Sequence, residues 1–158
     1  IKTGLLHELT LWVIKLMQEI SDILATFHDG GVEGIKGDFS ELEIQIGCAY
    51  LAEMEKPGYE NFYLTIVNVE RFEFHQWNGN VVTELNAIIN LDLEIGYLKV
   101  EDGIVKISCN VGAENEGDSG GELWIEANYA KLNNHEQKLI APEKLRDFSK
   151  TYWNKFQK

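Results

Sequence analysis

Proline is nearly absent from this sequence, because only Pro57 and Pro142 occur among its 158 residues. The sequence also contains no long tract of biased composition. Disordered chains are poor in apolar and aromatic residues, whereas this chain is 44% hydrophobic and 11% aromatic. The composition therefore predicts a packed globular protein, and we expect residues 1–158 to form one domain.

Cysteine is also scarce, and Cys48 and Cys109 lie far apart in the sequence. Two cysteines are too few for a disulfide framework. Neither belongs to a CxxC motif, so their spacing gives no support to redox or zinc chemistry. We expect both thiols to be buried and reduced.

No long hydrophobic run occurs near the start of the chain. The first apolar stretch is interrupted by five polar residues, namely His7, Glu8, Lys15, Gln18 and Glu19. A signal peptide or a membrane span needs an uninterrupted apolar core. The sequence therefore predicts neither, and we expect a cytoplasmic protein.

Basic residues are few, with 14 Lys and Arg against 26 Asp and Glu and a net charge of −12. Nucleic acids and anionic membranes are bound mainly through Lys and Arg, so we expect neither as a partner. An acidic surface can recognise a basic protein through electrostatic steering. It also keeps a protein soluble without any partner, and the charge taken alone favours this second interpretation.

Two amphipathic helices are predicted, one at each end of the chain. Over residues 5–26, apolar side chains recur at steps of three and four, and we expect this stripe to pack on a sheet. Its members are Leu5, Leu9, Trp12, Val13, Leu16, Ile20, Ile23 and Leu24. The second helix is predicted over residues 142–156, with Pro142 at its first position. Its stripe consists of Leu145, Phe148, Tyr152 and Phe156.

The segment between the helices, residues 32–133, alternates between apolar and polar side chains and is predicted to be rich in β-strands. The expected strands cover residues 42–50, 62–69, 71–77, 84–100, 104–109 and 123–132. No helix is expected between them, which disfavours a parallel sheet. We predict an α+β fold, in which a curved antiparallel sheet or a β-sandwich of about six to eight strands is flanked by N-terminal and C-terminal helices.

The segment FHDGG, residues 27–31, ends the first predicted helix. His28 and Asp29 form the dipeptide used by HD-type metal phosphohydrolases, but that chemistry needs the dipeptide on a helix within an α-helical core. Here Gly30 and Gly31 follow at once, and glycine supplies the positive φ of helix ends and tight turns. We therefore predict that residues 28–31 form a structural turn that binds no metal.

Residues 112–122 are predicted to form an acidic, glycine-rich loop. Its carboxylates at Glu114, Glu116 and Asp118 could hold Ca²⁺, but the loop lacks the spacing of an EF-hand, so a solvated loop is favoured. These three residues, together with His75 and Trp77 of the predicted strand 71–77, are our candidate contacts for a partner or ligand.

No catalytic motif is recognisable in the sequence. The strand carboxylates Glu43, Glu73, Asp92 and Glu94 could line a cleft, but they occupy the polar positions of each alternation, where solvated carboxylates belong. No serine lies in a nucleophile-elbow motif, and no Cys–His arrangement is present. We therefore predict a protein that is not an enzyme, with no catalytic residue, no metal and no cofactor.

Three short motifs, HDGG at residues 28–31, IQIGCAYL at 44–51 and FEFHQW at 72–77, give the chain a family resemblance. Over this third of its length the chain resembles small, uncharacterised bacterial proteins with an HDG turn, a strand ending in Tyr-Leu and an aromatic strand ending in Trp. Some of those proteins are similar to immunity proteins of polymorphic toxin systems. The resemblance implies a bacterial, immunity-like protein and carries over no functional residue.

The leading hypothesis is a non-enzymatic binding protein whose acidic surface meets a basic patch on a protein partner, such as a nuclease toxin. The alternative is a small-molecule or carbohydrate-binding module, or an unrecognised enzyme, with its site in a sheet cavity. A self-associating protein that uses the long N-terminal helix is a third hypothesis. The sequence does not determine the oligomeric state.

Overall fold

The structure, a computed structural model, describes residues 2–112 and 120–157, and within the first helix the side chains of residues 4–10 and 19–25. In these residues the chain forms four helices and seven strands. The helices are α1 (Lys2–Ala25), α2 (Ala49–Glu55), α3 (Leu85–Ile89) and α4 (Pro142–Asn154). The strands are β1 (Gly31–Gly37), β2 (Glu41–Gly47), β3 (Asn61–Gln76), β4 (Val81–Val82), β5 (Glu94–Glu101), β6 (Ile104–Asn110) and β7 (Gly121–Asn133).

All seven strands belong to one antiparallel sheet, which confirms the predicted α+β fold and selects the curved sheet over the sandwich. The pairings run from β1 to β2, β3, β7, β6 and β5. A single pair, Gly31 with Glu94, then joins β5 back to β1. The six long strands therefore close on themselves, and β4 pairs only with the distal end of β3.

The core lies inside this closed sheet and includes one end of α1. Among the described side chains of α1, the buried ones begin at Ile20, and the chain continues inward to Phe27, which has no exposed surface. The ring of Phe27 lies 5.2 Å from the ring of Phe62 on β3. The helix contacts β5, β6 and β7. The C-terminal third of α1 thus packs on β5, β6 and β7 as part of the core.

The other end of α1 differs from the prediction that its whole apolar stripe would pack on the sheet. Leu5 and Leu9 of the predicted stripe are 66% and 56% exposed. Periodicity locates an apolar face but does not show how much of it the sheet covers. No helix among the described residues is both long and apolar enough to span a membrane.

Two predicted strands are wrong at one end because a short helix lies there. The strand predicted over residues 42–50 ends at Gly47, and α2 follows, rich in the good helix formers Ala, Leu, Met and Glu. The strand predicted over residues 84–100 begins only at Glu94, after the single-turn helix α3. A short apolar run such as Ile88-Ile89 fits a helix or a strand equally well.

Two other strands also differ from the prediction. The predicted strands 62–69 and 71–77 are one continuous strand, β3, which passes through a register irregularity between Val69 and Arg71. The strand β1 was not predicted, because its three glycines resemble a loop. At the C-terminus, α4 ends two residues before the predicted boundary, so Phe156 is 65% exposed and does not belong to the buried stripe.

A polar contact fixes the loop between β7 and α4. The Nδ1 atom of His135 accepts hydrogen bonds from the backbone N–H groups of Glu60 and Asn61, at 3.1 and 3.2 Å. The ring of His135 stacks on that of Tyr59, with centroids 5.0 Å apart. The hydroxyl of Tyr59 donates a hydrogen bond to Glu136; this bond is the main reason that the pKa of Glu136 falls to about 2 and that of Tyr59 rises to about 12.

The buried end of α1 gives a first prediction. The substitution Phe27→Ala should lower the free energy of unfolding by about 3–5 kcal/mol, because it leaves a cavity where α1 meets β3. The matched control Phe156→Ala removes an exposed ring and should change the free energy by less than about 0.5 kcal/mol. Urea denaturation monitored by circular dichroism would measure both, and similar losses in the two variants would contradict this description of the core.

The Tyr59–Glu136 bond gives a second prediction, on pH dependence. The pKa of Glu136 is lowered on folding, so its stabilising effect is complete above its ordinary pKa of 4.5 and is lost as the pH falls toward 2. Tyr59→Phe should therefore be less stable than the parent at neutral pH, and the difference should narrow in acid. Thermal melts across this range would test this, with Tyr129→Phe on β7 as control. A difference that is constant with pH would contradict it.

Candidate functional site

The turn between α1 and β1 meets the start of β5 through backbone hydrogen bonds. The N–H of Asp29 donates to the carbonyl of Ile95 at 2.8 Å, and the N–H of Ile95 donates to the carbonyl of Gly30 at 2.7 Å. Within β1, the N–H of Val32 donates to the carbonyl of Leu93 at 2.8 Å. These bonds place the HDGG segment beside the start of β5, so that Asp29 and Glu94 lie close together.

The turn that ends α1 covers residues 26–29 and β1 begins at Gly31, so the predicted turn 28–31 overlaps the observed turn at His28 and Asp29. Asp29 adopts a positive φ of 67°, which Asp tolerates better than most residues. Gly30 is required by close approach, since a Cβ there would lie 2.9 Å from the carbonyl oxygen of Phe27. The hydroxyl of Tyr50 donates to the carbonyl of His28 at 3.0 Å and ties the turn to α2.

A cavity of about 320 Å³ opens beside this turn, and we call it the turn cleft. Its aromatic lining consists of Trp77, which follows β3, and Tyr97 of β5, which are 65% and 79% exposed. His28 lies against Tyr97, with ring centroids 4.6 Å apart. The cleft therefore presents two largely exposed aromatic rings, of which one is supported by a histidine.

Carboxylates line the same cleft and a second cavity that adjoins it. Asp29, Glu94 and Asn110 line both cavities, and Asp92 lines the second, which measures about 290 Å³. The Nδ1 atom of His28 lies 3.0 Å from the carboxylate of Asp29, and the side-chain amide of Asn110 lies 3.4 Å from that of Glu94. The two cavities thus share a rim that carries acidic groups.

Exposed carboxylates without a Lys or Arg partner lie around these cavities, as they do elsewhere on the described surface, for example at Glu53, Glu70 and Asp102. Among the described residues, the ion pairs of Lys or Arg with carboxylates lie on β3 and β5–β7, or around α2, α4 and the loop before α4. Within residues 2–112 and 120–157, no such pair involves Asp29, Glu33, Asp92 or Glu94. We call these four residues the acidic face.

The members of the acidic face are neighbours in the sheet. Glu94 pairs with Gly31, and Gly31 pairs on its other side with Gly47. The carboxylate of Glu33 lies over Gly47, so it occupies space that a side chain there would fill. Two glycines thus separate Glu94 from Glu33 on one surface, and these carboxylates project without bulky neighbours between them.

The candidate contacts from the sequence are separated by the fold. Trp77 lies in the turn cleft together with the predicted turn residues His28 and Asp29. His75 lies outside this cleft, on the outer face of the sheet, where its ring stacks on Trp124 at a centroid distance of 3.7 Å. The other candidates, Glu114, Glu116 and Asp118, lie outside the described residues.

His75 belongs to a set of side chains that we call the Trp124 cluster. Lys106 lies over the Trp124 ring with its Nζ 4.1 Å from the centroid, and the Arg71 guanidinium lies 5.7 Å away. Carboxylates pair with both cations, Glu101 with Lys106 at 3.1 Å and Glu126 with Arg71 at 3.6 Å. The cluster is therefore neutralised within the chain, and Lys106 is buried.

The four strand carboxylates considered for acid–base chemistry do not converge. Asp92 and Glu94 meet at the acidic face, whereas Glu73 pairs with Arg71 and His75 on the outer face. Glu43 lies on β2 opposite Lys36. Among the described residues, no three His, Cys, Asp or Glu side chains are grouped as metal ligands.

A larger cavity of about 520 Å³ lies elsewhere, between α1, β7 and the start of α4. Its charges are mixed, since Asp22 and Glu143 on its rim both pair with Arg146 at 3.5 Å. Leu139 is 75% exposed beside it. This cavity has the volume of a small-molecule site but shows no concentration of unpaired charge.

Tyr97 was not predicted as a contact for a partner or ligand, because it falls at an apolar position of the predicted strand 84–100. The register of β5 shifts between Ile95 and Leu98, so Tyr97 turns outward into the cleft. The shifted backbone requires glycine at position 96, because a Cβ there would lie 2.8 Å from the Ser108 hydroxyl. A glycine inside a strand is a signal for such a bulge and could have identified Tyr97.

Comparison of the chain with protein-family models, with curated proteins and with solved structures found no match.

Cys109 lines the turn cleft but is almost fully buried, as is Cys48. Both are free, as the sequence predicted, and burial raises their pKa values to about 11 for Cys48 and about 12 for Cys109. Since the thiolate is the reactive form, we expect neither to react with a disulfide reagent at mildly alkaline pH in the folded protein. Both should react in denaturant. Rapid labelling of the native protein, read by mass spectrometry, would contradict this expectation.

Proposed function

We propose that the chain is a non-enzymatic protein-binding domain, immunity-like in type, whose acidic face binds a basic patch on a protein partner. The observation that carries this proposal is the grouping of exposed carboxylates, Asp29, Asp92 and Glu94, on the rims of two adjoining cavities. The net charge is −12, and the carboxylates of Asp29, Glu33, Asp92 and Glu94 form no ion pair with Lys or Arg in the described part of the chain. A basic partner would supply the missing counter-charges.

Electrostatics gives a physical reason for this choice of partner. Carboxylates that are already paired, such as those of the Trp124 cluster, gain little from a new cation. Unpaired and exposed carboxylates keep their full field, which steers a basic protein toward them and disfavours acidic partners. The resemblance of residues 28–77 to immunity-like bacterial proteins points in the same direction.

A small-molecule-binding module is the second candidate function, and the cavity between α1, β7 and α4 is the observation that favours it. Its volume of about 520 Å³ is suitable for a metabolite. Its rim charges are paired with one another at Arg146, however, so they offer less to a charged ligand than the acidic face offers to a cation.

A matched pair of charge variants would test the proposed function. The face variant carries Asp29→Asn, Glu33→Gln, Asp92→Asn and Glu94→Gln; the control carries Glu53→Gln, Glu70→Gln, Asp102→Asn and Asp147→Asn. Each loses four exposed carboxylates, so each changes the net charge from −12 to −8. Asn tolerates the positive φ found at Asp29, Asp92 and Asp102, so both variants should fold.

The immobilised parent chain would be used to capture a basic protein from bacterial lysate at low salt, and the purified captured protein would then be titrated against all three chains. We expect the face variant to bind at least about tenfold more weakly and the control to change by less than about twofold. High salt should weaken the parent complex. Equal losses in both variants, or the absence of any salt-sensitive basic protein, would contradict the proposal.

A further inference from the structure

We propose that the turn cleft receives an arginine side chain of the basic partner, which stacks on Trp77 and Tyr97 and pairs with Asp29 and Glu94. This inference rests on the proposed function, because it names the chemical group by which that partner is held. It goes further because it assigns the contact to a cavity with aromatic walls. The acidic face alone would provide only long-range attraction for a basic partner.

The aromatic walls are the first reason. Tyr97 and Trp77 are 79% and 65% exposed, and both line a cavity of about 320 Å³ that is open to solvent. Tyr97 is also held in place, because the Ser108 hydroxyl donates to its carbonyl at 2.9 Å and His28 lies against its ring. A wall that is fixed before binding loses little conformational entropy when a ligand arrives.

The carboxylates are the second reason. The backbone of Asp29 is fixed by its bond to Ile95, and its side chain remains 54% exposed. The described contacts of the Asp29 and Glu94 carboxylates are to His28 and Asn110 and leave further acceptor sites open. A cation held against the rings in the turn cleft is therefore within reach of acceptors on the cavity rim.

The Trp124 cluster is the third reason, since it shows how this chain satisfies the same combination of groups internally. There an indole ring carries Lys106 and Arg71, and carboxylates pair with both. The turn cleft repeats the rings and the carboxylates, and no Lys or Arg belongs to its described lining. The turn cleft therefore differs from the Trp124 cluster in having no cationic side chain of its own in the described lining.

Arginine suits the turn cleft better than lysine does. The guanidinium is planar, stacks on aromatic faces and can donate to two carboxylates at once, whereas the ammonium is compact and more strongly hydrated. In the Trp124 cluster, Lys106 can lose its hydration because the fold buries it. The turn cleft is open to solvent, so a lysine from a partner would keep most of its water.

Two synthetic peptides would test this proposal. One alternates glycine with three arginines, and the other is its lysine counterpart of equal charge. Affinities at low salt would be measured by NMR titration for the parent, Trp77→Ala, Tyr97→Ala and the control Tyr129→Ala, which removes an exposed ring of β7 outside the cleft. The indole N–H signal of Trp77, assigned with Trp77→Phe, gives a local readout, and those of Trp124 and Trp153 serve as references.

We expect the parent to prefer the arginine peptide by about two- to fivefold, and the Trp77 indole signal to shift on binding. The preference should fall to about one in both cleft variants and persist in Tyr129→Ala. Equal affinity for both peptides in the parent, an unchanged preference in both cleft variants, or no binding of either peptide would overturn the inference.

The four-carboxylate face variant separates this outcome from the proposed function. If it loses both peptides while the parent binds them equally, the acidic face is a binding surface and only the arginine assignment fails. If it binds both peptides as the parent does, the acidic face itself is not the binding surface, and the proposed function fails with it.

Discussion

The junction of β1 with β5 is the constraint on which both the closed sheet and its candidate site depend. A single residue pair and three flanking hydrogen bonds, from Asp29, Val32 and Ile95, join the first strand to the fifth. Each buried backbone bond contributes about 1 kcal/mol, so the junction is small in energy but decisive in topology. It places a turn that follows α1 beside a strand more than sixty residues later, and it encloses the end of α1.

The same junction accounts for the local chemistry. It requires Gly30, because a Cβ there would lie 2.9 Å from the carbonyl oxygen of Phe27 as the turn passes it. It also places Asp29 on the same cavity rim as Glu94, although no local sequence pattern relates them. Like charges repel, and the fold keeps them on an exposed surface where water screens that cost. Such an arrangement costs little in the free protein and is relieved when a cation binds.

The sequence was sufficient to predict the antiparallel sheet, the flanking helices and the HDGG turn, since these follow from periodicity and from glycine. It did not predict α2 or α3, because helices this short contain too few residues for a period to be recognised. It predicted Trp77 as a contact but missed Tyr97, whose orientation depends on a bulge at Gly96. His75 and Trp77 are two residues apart but belong to different sites, because the strand ends between them and the chain turns.

The contrast between those two sites bears on how the acidic composition should be interpreted. A net charge of −12 says little by itself about binding, because exposed carboxylates without a Lys or Arg partner occur over much of the described surface. On β3, β5 and β7, Glu73, Glu101, Glu122 and Glu126 are paired with Lys or Arg, and the Trp124 cluster is neutralised so fully that a lysine is buried in it. Around the HDGG turn, by contrast, exposed carboxylates without a Lys or Arg partner are grouped beside two exposed rings. In the Trp124 cluster, the chain combines an aromatic ring and carboxylates with its own Lys and Arg. The turn cleft has aromatic rings and carboxylates but no Lys or Arg in its described lining, so it is suited to a cation from another molecule.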